Sequence, residues 1–286
     1  MAHLEHRFAS VNGIHLHYVI QGEGSELVML LHGWPEFWYS WRFILPELSK
    51  KYTVVAPDLR GFNLSDKPKG IEAYQTKHII EDVKQLVHHL GFQKCYIVGH
   101  DWGGAVAWHF ATAFPGMTQK LAILNCPHPK LMFKSLVTNP IQLMRSWYML
   151  SFQLPIVPEL IMSQFLQQLF ERNMRGWLYH PENMTDRDIQ LYVQAFREKD
   201  ALTSSISYYR AGLRHGLHPD VKKKKVKVST RVIWGRNDKA LGVELNKNLG
   251  DVVDARHEVR YIDECSHWVQ VDQPARVNEL LLEFFD

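Results

Sequence analysis

The chain has 286 residues, of which 46% are hydrophobic and 22% charged, and its net charge is +3. A chain this apolar buries enough surface to offset its conformational entropy, which excludes intrinsic disorder, and no run of ~18 apolar residues is present to cross a membrane as a helix. Much of the positive excess lies in Lys222, Lys223, Lys224, Lys225 and Lys227, a run too short for a nucleic-acid surface and read as a solvated loop.

In chain order, residues 7–11 and 15–20 flank Asn12-Gly13, and Asn-Gly between two alternating runs predicts an antiparallel hairpin. Residues 27–31 are continuously apolar and end in His32-Gly33, as a buried strand does. Residues 52–56, 95–98 and 121–124 repeat the pattern, closed by Pro57-Asp58, Gly99 and Asn125. Between them, segments 39–51, 76–90 and 103–114 read as helices. Strand and helix in alternation predict a parallel α/β sheet with right-handed crossovers. From residue 132 to 217 the periodicity is helical, punctuated by Pro140, Pro155, Pro158 and Pro181. Strands return at 230–234 and 258–262, and 275–285 reads as a last helix. The expected organisation is an α/β core in two parts, 1–131 and 218–286, with an all-helical lid at 132–217 over the strand ends where such sheets bind ligands.

The sharpest motif is Gly99-His100-Asp101-Trp102-Gly103-Gly104, which follows a predicted strand and opens a predicted helix. That is the setting of a nucleophile elbow, where small residues permit a strained turn and one side chain is thrust into the site. Asp101 stands where the motif usually has serine. An ordinary turn with Asp101 as helix N-cap is the plainer alternative. A carboxylate is ionised at neutral pH and can displace a leaving group at saturated carbon. The ester so formed must be cleaved by water, which needs a base and an oxyanion hole.

Three further motifs join the elbow in order. His32-Gly33-Trp34-Pro35-Glu36 follows the third strand, Asp58-Leu59-Arg60-Gly61-Phe62 through Ser65-Asp66 follows the next, and Ser266-His267-Trp268 precedes the last helix. With these four motifs the sequence resembles the α/β-hydrolase superfamily, and within it the epoxide hydrolases, over nearly its whole length. The resemblance implies an eight-stranded, mostly parallel sheet flanked by helices, with a helical cap. It implies Asp101 as nucleophile, His267 as base for water, and Asp238, after strand 230–234, as the acid that orients it. Asp263 and Asp272 are alternatives for that acid. An oxyanion hole is implied at the backbone N–H groups of Trp34 and Trp102, with a cis Trp34–Pro35 bond. Two lid tyrosines hold the epoxide oxygen in the family, and Tyr148 and Tyr209 look like them. Tyr208, Tyr192 and Trp147 compete for these roles. A phenol stays protonated at neutral pH and suits the task. The substrate pocket is expected among Trp34, Pro35, Trp102, Tyr148, Tyr209 and Trp268.

The implied substrate is a small apolar epoxide, and no cofactor is implied. No cluster has metal spacing and no phosphate loop appears. His100 is expected to hydrogen-bond structurally, Glu36 to brace its loop, and Cys265 to be a packed thiol. Three cysteines fit a reducing, cytoplasmic setting, the charged start MAHLEHRFAS does not suggest secretion, and the expected assembly is a monomer or homodimer. A dehalogenase is the nearest rival. Trp34 stands where haloalkane dehalogenases have Asn, and Trp102 where fluoroacetate-type enzymes have Arg. The tyrosine pair also favours an epoxide. A non-catalytic small-molecule-binding relative would have no need of Asp101, Asp238 and His267 together.

Overall fold

The computed structural model describes residues 3–216 and 218–286. Leu217, the expected end of the lid, and the first two residues of the charged start lie outside the described residues. Asn12 (φ 48°) and Gly13 (φ 76°) both take left-handed backbone conformations and join β1 (Glu5–Val11) to β2 (Ile14–Gln21) as an antiparallel hairpin. That is the two-residue turn the Asn-Gly pair predicts. The apolar run becomes β3 (Leu27–Leu31), buried along its whole length.

The single helix expected over 39–51 is instead a 3-10 turn at Trp38–Trp41 and a short α1 (Leu45–Leu48). Pro46 lacks the N–H that a continuous helix needs, and its ring clashes with the preceding turn. Then come β4 (Thr53–Pro57), α2 (Thr76–His89), β5 (Cys95–His100), α3 (Trp102–Ala113) and β6 (Thr118–Leu124).

The chain next runs through α4 (Pro129–Thr138), α5 (Pro140–Arg145), α6 (Trp147–Ser151), α7 (Val157–Gln164), α8 (Leu166–Leu169), α9 (Asp186–Arg197) and α10 (Ala201–His215). No strand interrupts this stretch among the described residues. A further helix, α11 (Pro219–Lys223), takes up the start of the lysine run, which was expected to be loop throughout. Lys222 and Lys223 sit in its last turn, where the helix dipole favours cations. The core resumes with β7 (Thr230–Gly235), β8 (His257–Ile262), α12 (Val269–Asp272) and α13 (Pro274–Phe285). Pro129, Pro140, Pro219 and Pro274 each hold a first helical position, where the missing N–H costs nothing.

The eight strands form one sheet in the order β1-β2-β4-β3-β5-β6-β7-β8, and only β2 runs against the others. The chain moves from β3 back to β4 and then crosses to β5 on the other side. The direction of winding therefore reverses between β3 and β5, which opens a crevice at their carboxyl ends. β3, β4 and β5 are buried residue by residue, as parallel strands covered on both faces must be.

Helix α3 lies very close to this crevice. A Cβ added at Gly103 would stand 2.1 Å from the carbonyl oxygen of Leu31. Only glycine allows that approach, so Gly103→Ala is expected to destabilise the fold by about 3 kcal/mol, the upper end of usual overpacking costs. Urea denaturation measures this. A variant with the unchanged midpoint would show that α3 can move away from β3.

Candidate active site

Asp101 sits between β5 and α3 with φ 49° and ψ −120°, a conformation that side-chain-bearing residues rarely hold without support from the fold. Its side chain makes no capping bond to the helix it precedes, which removes the N-cap alternative. Instead, Oδ1 accepts a 2.8 Å hydrogen bond from the Trp34 N–H, in the loop after β3. The Trp34–Pro35 bond is cis. Trp102 opens α3, so its N–H has no acceptor within the helix.

His267 lies in the loop after β8, with Nε2 3.5 Å from Asp101 Oδ2. Its other nitrogen, Nδ1, donates to Asp238 Oδ2 at 2.7 Å. Asp238 is held in turn by the loop after β7: its Oδ1 accepts from the N–H groups of Ala240 (2.7 Å) and Leu241 (2.9 Å). Asp263 and Asp272 are elsewhere. Asp263 pairs with Arg236, and Asp272 accepts from the backbone of His180 and Ser266. Burial opposes a charge on His267, but Asp238 and Asp101 outweigh it and push its pKa up to about 10. Burial also opposes the Asp101 charge, yet His267 and the Trp34 N–H hold that carboxyl below the usual carboxylate value. The resting site is thus an imidazolium between two carboxylates.

A second chain of hydrogen bonds lies behind the first. Glu36 Oε2 accepts from the Gly33 N–H and from His100 Nδ1, both at 2.8 Å, and its Oε1 accepts from Gln270 Nε2 at 2.9 Å. His100 Nε2 faces the carbonyl oxygen of His267 at 2.9 Å. One carboxylate therefore braces the Trp34 loop, the elbow strand and the His267 loop together.

The lid closes over this cleft. Tyr209 on α10 is almost fully buried, with its ring edge-on to Trp102 (5.0 Å between centroids), Trp34 (5.6 Å) and Tyr148 of α6 (5.9 Å). Burial, with Tyr148 and Asp101 adding to it, pushes the Tyr209 phenol well up. Burial and the Asp101 and Asp238 carboxylates do the same to Tyr148. Both phenols stay protonated and able to donate. Arg210, next along α10, fastens the two tyrosine-bearing helices. Its guanidinium donates to the carbonyls of Phe152 (2.9 Å) and Leu154 (2.7 Å) and to both oxygens of Glu159 (2.6 and 3.1 Å).

A cavity of about 130 Å³ runs from Asp101, Trp102, Tyr148 and Tyr209 past Ala105 and His109 of α3. Its walls are otherwise mostly apolar side chains, among them Met132, Leu136 and Leu241. Three residues expected in the pocket are not in its lining. The Trp34 indole turns to α10, where Nε1 donates to Ser205 Oγ at 3.3 Å. Pro35 is buried within its loop. Trp268 packs between His267 (5.2 Å) and Trp177 (5.5 Å). The rival aromatics are also placed: Tyr208 donates to the Arg60 carbonyl, Tyr192 packs on Phe37 and Phe170, and Trp147 faces outward. Cys265 is buried, which pushes its thiol up. No group of three His, Cys, Asp or Glu side chains could hold a metal among the described residues.

Sequence reasoning passes over one residue that contacts Asp238. Asn125, at the end of β6 with φ 39°, donates from Nδ2 to Asp238 Oδ2 at 2.7 Å and accepts the Gly235 N–H at 2.9 Å. The only local signal was an asparagine closing a strand.

The α/β-hydrolase-fold family matches residues 26–274. The chain is 37% identical over 283 residues to Epoxide hydrolase 4 of Homo sapiens, covering 96% of this chain and 76% of that protein. It is 39% identical over 280 residues to the AB hydrolase superfamily protein YfhM of Bacillus subtilis (strain 168), covering 97% and 96%. A solved Bacillus megaterium epoxide hydrolase in complex with an inhibitor superposes with a TM-score of 0.86 at 33% identity, over 98% of this chain and 99% of that one. The chain belongs to the α/β-hydrolase-fold family and, within it, to the epoxide hydrolases.

Proposed function

We propose that the protein converts an apolar epoxide and water into a vicinal diol through an ester on Asp101. The observation that carries this reading is an aspartate at the elbow, with His267 and Asp238 behind it and two phenols of the lid, one buried and one half-buried, across the cleft. The epoxide lies in the apolar cavity, its oxygen accepting from Tyr148 and Tyr209. Asp101 Oδ2 bonds to one ring carbon as that carbon's bond to oxygen breaks, and the electron pair leaves on oxygen. Negative charge so moves from Asp101 to the lid. His267 then has only Asp238 as an anionic neighbour, its pKa falls, and its proton passes to the alkoxide through the cleft.

Neutral His267 next takes a proton from water, and the hydroxide attacks the ester carbon. Oδ1, already on the Trp34 N–H, becomes the oxyanion, with the Trp102 N–H as second donor. Collapse releases the diol, whose oxygen takes the water proton from His267; the Asp101 carboxyl, one oxygen of it now from water, passes its remaining proton to His267 and restores the imidazolium and carboxylate. Three buried, unpaired cysteines support a cytoplasmic setting.

The test is hydrolysis of styrene oxide or trans-stilbene oxide in oxygen-18 water over repeated turnovers. Label is expected in the Asp101 carboxylate by peptide mass spectrometry. Asp101→Asn, assayed freshly prepared, should lose turnover by at least about 1,000-fold. Diol formation without label in Asp101 would remove the ester mechanism, and no diol would remove the activity.

His267→Gln should leave alkylation intact and trap the ester, seen as an added substrate mass. The same variant has a stability signature. The His267 pKa is raised on folding from 6.5 to about 10, so its contribution is full below pH 6.5 and lost as pH rises toward 10. Wild type should lose melting temperature relative to His267→Gln between pH 7 and 10. A constant difference between them contradicts the ion-pair assignment.

Tyr209→Phe keeps one phenol and should slow ester formation by roughly ten- to a hundredfold without slowing ester hydrolysis. Pre-steady-state kinetics separate the two steps. An unchanged first step would assign the Tyr209 hydroxyl to packing.

A further inference from the structure

Seventeen large apolar side chains are exposed among the described residues, and thirteen of them lie between Phe133 and Phe165, on α4 to α7 and the turns around them. Single exposed apolar residues are ordinary, but a run of this density on one segment marks a docking surface. Val137 is 88% exposed, Met144 70% and Trp147 67%. From 129 to 165 the chain has one carboxylate, Glu159, and Arg210 already neutralises it at 2.6 Å. The cations there are Lys130, Lys134 and Arg145, the last of them facing Glu244 at 3.6 Å. Helix α11 packs on α4 and brings exposed Lys222 and Lys223 to the same edge of the lid.

This edge is also the mouth of the cavity. Phe133 and Leu213 line the cavity and are exposed at the same time. Gly216 lines it too, and a Cβ there would lie 3.9 Å from Lys222 Nζ. Asp220, on the same helix, is taken up by Lys224 at 2.9 Å, which leaves Lys222 and Lys223 as the cations of this rim. Apolar side chains beside a basic rim suit the boundary of a bilayer, where acyl chains meet anionic headgroups. A second copy of this chain suits it less. Pairing the face with itself about a two-fold axis sets basic rim near basic rim, and the carboxylates beside it are already engaged, Glu159 by Arg210, Glu244 by Arg145 and Asp220 by Lys224.

We propose that the apolar face of the lid docks on a bilayer surface containing anionic lipid, with Lys222 and Lys223 among the headgroups and the cavity mouth turned toward the acyl region. Only the nature of the cargo, an apolar epoxide dissolved in the membrane, rests on the epoxide hydrolase reading. The docking stands apart from it.

Co-sedimentation with vesicles tests this, run beside turnover of styrene oxide in free solution. Binding is expected to phosphatidylcholine vesicles with roughly 30% phosphatidylglycerol, and about tenfold more weakly to phosphatidylcholine alone or at about 1 M salt. The triple variant Val137→Ser, Met144→Ser, Leu160→Ser should bind about tenfold more weakly while turning over styrene oxide as wild type does. Lys222→Glu with Lys223→Glu should remove the preference for anionic vesicles. Wild type that stays in the supernatant, or a triple variant that binds unchanged, overturns the proposal. So does a wild-type dimer that the triple variant dissolves, since the face would then join two copies. Vesicle binding without diol formation would keep the docking and remove the epoxide hydrolase reading instead.

Discussion

At Gly103 the backbone of α3 passes so near the end of β3 that one added carbon would overlap the Leu31 carbonyl. The turn between β5 and α3 is tight because of this approach, and Asp101 takes its left-handed conformation within it. The same closeness puts the loop after β3 within hydrogen-bond reach of the Asp101 carboxylate. The crevice at the reversal between β3 and β5 supplies the space, and glycine at a single helical position supplies the contact.

Charge is arranged around that turn in a fixed order. A buried carboxylate is costly unless it is paired and hydrogen-bonded. Here two carboxylates share one imidazole, and each has its own N–H donors from backbone. Asn125 adds a side-chain donor to Asp238 from β6, so strands β5 through β8 each carry one member of the assembly on the residues that follow them. The lid faces this charge with phenols that burial keeps protonated. Arg210 ties α10 to the chain around α6 and α7, so the spacing of the two phenols depends on one buried guanidinium.

Features with a local physical signature were readable from the chain alone. Asn12-Gly13 announces its turn through the left-handed conformations that those two residues tolerate. The elbow announces itself through glycines at fixed offsets between a strand and a helix. The family likeness pointed to His267 and Asp238, and in the structure His267 lies between Asp101 and Asp238. Features set by distant contacts were not readable. Nothing near Gln270 or Asn125 in sequence shows that they will meet Glu36 and Asp238. Trp268 adjoins the site in sequence, yet its indole is drawn to Trp177, more than 90 residues earlier in the chain. Helical periodicity over 39–51 hid the break at Pro46, because the same apolar positions serve a turn and a short helix equally well.

The Glu36 carboxylate has a consequence for how this chain can diverge. It is shared by the Gly33 N–H, His100 and Gln270, and His100 reaches on to the His267 carbonyl. Replacing any one of the three side chains strands a buried polar partner on another, at a cost of about 1–3 kcal/mol per orphaned group. Single-step drift at these positions is therefore penalised even though the Asp101 carboxylate meets the Trp34 N–H and His267 rather than any of the three side chains. Descendants of this sequence are expected to keep Glu36, His100 and Gln270 as a set or exchange them together. The network thus acts as an inherited unit, more resistant to change than the cavity walls that choose the substrate.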